Sequence, residues 1–195
     1  MIAETIAQLR QDIGDVIDPA RRGPVVLDRY FPEFNLRHFA VPQLSIGRVV
    51  EHLLREGNAI DDLGDPARKL AGFLFFAGRA GTAFINADEP LTRRRFSAAH
   101  ELGHAVLHRQ SMGNYLAEDL IDDADEAETQ REREANAFAA ELLMPEEICR
   151  ERAKELKSQY GACPRGVLAY RLASELLVSK QAMDYRLRKL EVGHA

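Results

Sequence analysis

The sequence predicts an α+β fold, mainly helical, in which a small β-sheet lies beside one central helix and a further helical piece follows at the C-terminus. Three observations carry this expectation. Apolar residues recur at three- and four-residue steps along most of the chain, which is the helical period. Two short aromatic and β-branched runs between residues 71 and 86, parted by Gly78 and Gly81, break that period as a β-hairpin would. The charge balance changes sign, from −8 over residues 1–145 to +3 over residues 146–195, which sets the last stretch apart.

Composition narrows the function classes. With 195 residues, 46% apolar and 29% charged, the chain suffices for one ordinary domain plus a shorter piece, and disordered and low-complexity classes are excluded. A net charge of −5 excludes bulk attraction to nucleic acid or anionic lipid as the governing property. Cys149 and Cys163 are too few for a disulfide scaffold and form no CxxC pair. The opening MIAETIAQLRQD is amphipathic and acidic early, unlike a secretory signal, and the longest apolar stretch, 71–77, is too short to cross a bilayer. A cytoplasmic protein without a membrane partner is expected.

Residues 2–17 place Ile2, Ile6, Leu9, Ile13, Val16 and Ile17 on one helical stripe, ended by Pro19 and the Arg21-Arg22-Gly23-Pro24 cluster. Residues 24–42 hold three prolines, several aromatics and no period, and read as a packed irregular connector. Residues 43–55 return to helical spacing through Leu44, Val49, Val50, Leu53 and Leu54, with Gly57-Asn58 as the stop. After the hairpin and a turn cluster at 86–90, residues 91–109 read as a helix whose one breaker, Gly103, costs only about 1 kcal/mol. Tyr115–Glu134 carries nine acids against two bases and reads as a solvated connector. A second helix over 129–144 is stopped by Pro145, and helices are expected again at 148–156 and 167–190, the latter broken at Val178-Ser179. The expected division is one domain over 1–145, with 1–42 as its helical and irregular N-terminal part, and a helical extension over 146–195.

The chemistry lies in the helix of 91–109. His100-Glu101-Leu102-Gly103-His104 is an HExxH sequence in the helical context that motif requires. Residues four apart stack on one helix face, so His100 and His104 can present two imidazoles to one cation, and Glu101 is angled to reach water at an open coordination position. A catalytic zinc of this kind needs a third protein ligand. His108 is one turn further on the same face, but lies about 12 Å from His100 along the axis, too far to share an ion. No HExxHxxGxxH continuation is present. His108 is therefore expected at the surface or behind the ligands, and the third ligand is expected from the second helix, which offers Glu128, Glu132, Glu134 and Glu141.

RRRFSAAHELGHAVLH (93–108) followed by EREANAFAAELLMP (132–145) resembles the ImmA/IrrE family of zinc metallo-endopeptidases in both segments and in their order. The resemblance covers at least Phe84 to Pro145. It implies a zincin-like peptidase domain with one zinc per chain, held by His100, His104 and Glu132. Ala135 would be a close-packing position and the Asn136 amide would orient a metal-bound histidine. It also implies peptide-bond hydrolysis with Glu101 as general base. Tyr115, His108 and Arg109 lie within chain distance, but none is assigned to the oxyanion. An edge strand precedes the HExxH helix in peptidases of this class, and an extended peptide could add to such a hairpin edge. The favoured reading is that Phe73-Leu74-Phe75-Phe76 is core.

Residues 166–190 resemble the helix-turn-helix-like segment that follows the peptidase region in this family, with Lys180, Arg186, Arg188 and Lys189 expected on the exposed side of its second helix. Such a segment could reach DNA through Lys180, Gln181 and Arg186, but a balance of +3 favours packing or docking of a protein substrate. The substrate implied by the resemblance is a regulatory protein, a helix-turn-helix repressor or antitoxin-like partner, in a stress-response or toxin–antitoxin-like setting. The alternative function is a DNA- or protein-binding transcriptional regulator with a structural zinc site, against which the intact Glu101 speaks. Manganese or iron suits the same ligand types.

Overall fold

A computed structural model of the protein describes residues 1–15, 18, 23–58, 63–110, 115–117, 126–161 and 163–193. In chain order the elements are α1 (Ile2–Asp12), β1 (Leu36–Val41), α2 (Ile46–Arg55), β2 (Gly72–Ala77), β3 (Ala80–Asn86), α3 (Leu91–His108), β4 (Tyr115–Ala117), α4 (Glu126–Leu143), α5 (Glu146–Tyr160), α6 (Arg165–Leu176) and α7 (Lys180–Lys189). They fall into two compact units, one of Leu27–Asn136 and one of Met1–Val26 with Ala137–Ala195. The class is the α+β, mainly helical one that the sequence predicts.

In the Leu27–Asn136 unit the strands form a four-stranded sheet in the order β1-β3-β2-β4. β1 runs parallel to β3, while β2 is antiparallel to both β3 and β4. Phe73, Leu74, Phe75 and Phe76 of β2 are all buried. The run shows no alternation because the sheet is covered on both faces. Phe73, Phe75 and Phe84 join Leu44, Ile46, Val49 and Leu53 around α2. A side chain at Gly72, on the opposite face by the period of two, would point at α3.

This topology corrects three readings of the sequence. The hairpin is not an edge, since β2 and β3 are both interior and, among the described residues, the edges are β1 and β4. The connector of 24–42 contains two short 3-10 turns, Leu27–Arg29 and Phe31–Phe34, and then β1. β1 carries no period because residues 37–40 are exposed and the strand pairs only with β3 among the described residues. Part of the predicted acidic connector, 115–117, is β4, and residues 118–125 lie outside the described residues.

The turn between β2 and β3 places Gly78 at φ +63°, where a side chain would be strained. Arg109, just past α3, stacks its guanidinium over Phe76, 3.9 Å from the ring centroid, and donates to the Gly78 carbonyl. The turn is thereby tied to the end of α3. α2 begins with Ser45 accepting from the Arg48 amide, and Gly57 at φ +80° follows its stop as expected.

In the other unit, α1 ends at Asp12, earlier than expected, with Gly14 at φ +65°, and residues 16–17 lie outside the described residues. Buried Arg10 donates to the Leu142 carbonyl at 2.7 Å. Arg152 of α5 forks onto Glu175 of α6 at 2.8 and 2.5 Å. The break near Val178-Ser179 is a three-residue turn. Leu177 takes φ +55° and Ser179 caps α7 by accepting from the Ala182 amide at 3.0 Å. Leu168, Leu172, Leu176, Met183 and Leu187 are buried. Cys149 is buried as well, and burial pushes its thiol up to about 12.

Arg186 departs from its expected place on the open side of α7. Its Nε donates to the Met144 carbonyl at 3.0 Å and its guanidinium pairs with Glu141, leaving the side chain 12% exposed. Lys180, Gln181, Arg188 and Lys189 remain exposed. Arg186→Ala would strand Glu141 and a carbonyl, at a cost of about 2 kcal/mol. The expected outcome is a melting temperature lower by about 4–8 °C for a chain of this size, read by differential scanning calorimetry.

Candidate metal centre

α3 continues through Gly103 and carries Ser97 to Ala105 in buried surroundings, with His100, Glu101 and His104 fully enclosed. The four-residue step brings the rings of His100 and His104 to centroids 4.5 Å apart, nearly perpendicular. Their Nε2 atoms face each other at 2.9 Å. Glu132 of α4 bridges them, Oε2 lying 3.1 Å from His100 Nε2 and Oε1 3.0 Å from His104 Nε2. Among the described residues these three form the group of histidine, cysteine and carboxylate side chains able to share a cation, their ligand atoms lying within 4.8 Å of one another.

The donor set fits a metal. Three donors at zinc bond lengths of about 2.0–2.2 Å from a common centre lie about 3–3.5 Å apart, close to the edges of this triangle. Two imidazoles and one carboxylate, with a further position left for water, are the ligand types of catalytic zinc sites. The Nδ1 atoms of both histidines are buried and have no hydrogen-bond partner among the described residues.

The electrostatics keep the site ready for a cation. Burial pushes His104 below its ordinary value, against the opposing hydrogen bond to Glu132, and favours the neutral imidazole that binds metal. Burial raises the Glu132 carboxyl, but hydrogen bonds with His100 and His104 outweigh it and bring it down to about 2.

The other sequence candidates sort themselves by contact. Glu134 accepts from Gln130 at 2.7 Å and lies 3.6 Å from His108, while Glu141 pairs with Arg186. The Glu128 and Tyr115 side chains lie outside the described residues. Ala135 is fully buried, whereas Asn136 is exposed, so the structure gives no support to the expected Asn136 contact with a metal histidine. Arg109 is engaged at the hairpin turn.

His108 is buried rather than at the surface, and its Nε2 donates to the Arg131 carbonyl at 3.2 Å. It therefore fastens α4 at the residue before Glu132. Sequence spacing excludes His108 as a ligand without revealing this task; its signal was a third histidine at the four-residue step.

Two buried histidines on one helix and a glutamate from a second, with another glutamate beside the first histidine, match the side-chain pattern of metal-dependent hydrolases. The model of the peptidase M78 family described as the IrrE N-terminal-like domain matches residues 64–188, and the chain belongs to that family. Membership implies peptidase activity and a metal to support it. The chain is also 35% identical over 78 residues to the uncharacterized immunity region protein 2 of Bacillus phage phi105. That match covers 40% of this chain and 47% of the relative, so the chain spans about half the length of the curated relative it matches. Among the described residues no helix is long and apolar enough to cross a membrane.

The Glu132 shift sets an acid response of the metal-free protein. Because its folded value of about 2 lies below its ordinary value of 4.5, the ionised carboxylate contributes stability that is complete above 4.5 and is lost as pH falls towards 2. Glu132→Gln should therefore lose less stability than wild type between about pH 6 and about pH 3, as read from urea denaturation midpoints.

Proposed function

We propose that the chain is a zinc-dependent endopeptidase that hydrolyses a peptide bond in a regulatory protein of the helix-turn-helix repressor or antitoxin type. The observation that carries this reading is the His100–His104–Glu132 triangle with Glu101 adjacent but outside it. A site that served only to staple the fold would fill its fourth position and would need no buried carboxylate next to the ligands. A relative named for a phage immunity region supports a partner of the repressor kind.

In this reading His100, His104 and Glu132 hold one zinc ion per chain. When bound, the ion supplies Lewis acidity, which makes water more acidic and polarises the scissile carbonyl. Glu101, one residue past His100 and about 100° around the helix, accepts a proton from the attacking water and later delivers it to the leaving amine. His104, kept neutral by burial, stays available as a ligand at physiological pH. His108 keeps Glu132 in register by holding the neighbouring Arg131 carbonyl. Residues 1–145 form the peptidase domain of a cytoplasmic protein. Residues 146–195 form a helical extension that docks the protein substrate in preference to DNA, consistent with the engagement of Arg186 within its own unit.

Metal analysis of chelator-washed, zinc-reconstituted protein should give about one zinc per wild-type chain and much less for Glu132→Ala. Glu101→Gln should keep the zinc and lose about 10²–10⁴-fold in cleavage of a repressor-type substrate, followed by gel and mass spectrometry. Normal cleavage by Glu101→Gln would rule out the proton-transfer role, and zinc retained by Glu132→Ala would rule out the ligand set.

A further inference from the structure

β2 opens on a glycine whose backbone does not require one. Gly72 is buried and is absent from the residues with positive φ, so its conformation is open to any residue. A glycine inside a strand weakens it, and such glycines mark places where another group approaches closely. At Gly72 that group is a single side chain. A Cβ built there would lie 2.3 Å from Glu101 Oε1, 3.2 Å from its Cδ and 3.3 Å from its Cγ. The three nearest atoms all belong to Glu101.

Other tight glycines of this unit meet different neighbours. A Cβ at Gly81 would meet the apolar side chains of Leu36 and Phe76, and one at Gly47 would meet Pro66. Those are packing constraints. Gly72 alone among these three is opposite a carboxylate, and that carboxylate is fully buried. The strand is also held where it is. Asn86 at the end of β3 donates its amide to the Ala71 carbonyl at 3.0 Å and its side-chain Nδ2 to the Leu70 carbonyl at 3.0 Å. With the backbone anchored beside Gly72, an added methyl group would be accommodated by movement of Glu101.

We infer that Gly72 is a positioning residue for Glu101: the strand omits a side chain there so that the carboxylate can lie against the β2 backbone at a fixed place beside the metal triangle. The inference rests on the reading of Glu101 as the proton-transfer group. Relief of the 2.3 Å approach to ordinary contact requires the carboxylate to move by about 1 Å, a displacement that can cost about 100-fold in rate. The atoms that must move are the end of a flexible side chain, so the fold and the three ligands should persist.

The test uses the full chain without its metal and then loaded with cobalt(II), and needs no substrate. In thermal unfolding of the metal-free protein, Gly72→Ala should lower the melting temperature by a few degrees. In a Glu101→Ala or Glu101→Asp background, where the carboxylate is removed or withdrawn, the same change should cost nothing or be stabilising. Equal effects of Gly72→Ala in all three backgrounds would overturn the inference. If Gly72→Ala alone does not fold, the Gly72→Ala/Glu101→Ala double variant decides: its folding supports the inference and its failure overturns it. With cobalt, Gly72→Ala should bind one ion per chain and show a visible spectrum shifted from wild type towards that of Glu101→Gln at fixed pH. A wild-type spectrum for Gly72→Ala beside a shifted one for Glu101→Gln would overturn the positioning role. Identical spectra for wild type and Glu101→Gln would instead count against the reading of Glu101, while the unfolding comparison would still decide whether Gly72 makes room for it.

Discussion

Two imidazole nitrogens and a carboxylate, drawn to within about 3 Å of one another where His100 and His104 are fully enclosed, are the constraint around which the Leu27–Asn136 unit is arranged. Polar groups in such surroundings are costly unless each has a partner. The arrangement works only if α3 stays helical through Gly103, so that the two rings stack, and if α4 presents Glu132 at their height. The sheet supplies the first condition by giving α3 a broad apolar support, and His108 supplies the second by gripping the backbone at Arg131. Each support is a local consequence of residue type: buried aromatic residues in β2 and β3, and a histidine one turn past the His100–His104 pair.

The same constraint explains the uneven polarity of α3. From Ser97 to Ala105 the helix is buried, yet it carries a glutamate and two histidines among alanines and a leucine. Small neighbours let the helix sit close to the strands, and the polar side chains fill the space that larger apolar residues would otherwise take. Gly72 is the counterpart of this choice on the sheet.

How much of this was legible in the sequence depended on whether a residue's role is local. The histidine pair was readable because a four-residue step on a helix is a geometric statement in itself. The interior strands were readable as strands, but their interior position was not, because β1 is an exposed run with no burial period and β4 is three residues long. α4 begins at Glu126, three residues before the predicted start, because Glu126, Ala127 and Glu128 give no large apolar residue from which to read a stripe. Resemblance pointed to Glu132 and Ala135, and the structure places Glu132 against both histidines and buries Ala135. The resemblance also supplied Asn136, which is exposed, and left Arg186 looking like a surface cation, since a long charged side chain shows its partner only after Glu141 and Met144 are placed.

The link from Arg109 to Phe76 and the Gly78 carbonyl bears on how the protein can be handled. A short glycine-containing turn between two strands is an obvious place to splice an epitope, a fluorophore-binding tag or a permuted terminus. Here that turn shares an anchor with the end of α3, so lengthening it would tug on the segment that carries His104 and His108. Cys163 is the better handle. It is partly accessible between α5 and α6, and the other thiol, Cys149, is buried with its ionisation pushed up to about 12, so a maleimide dye at neutral pH would mark one position, outside the Leu27–Asn136 unit.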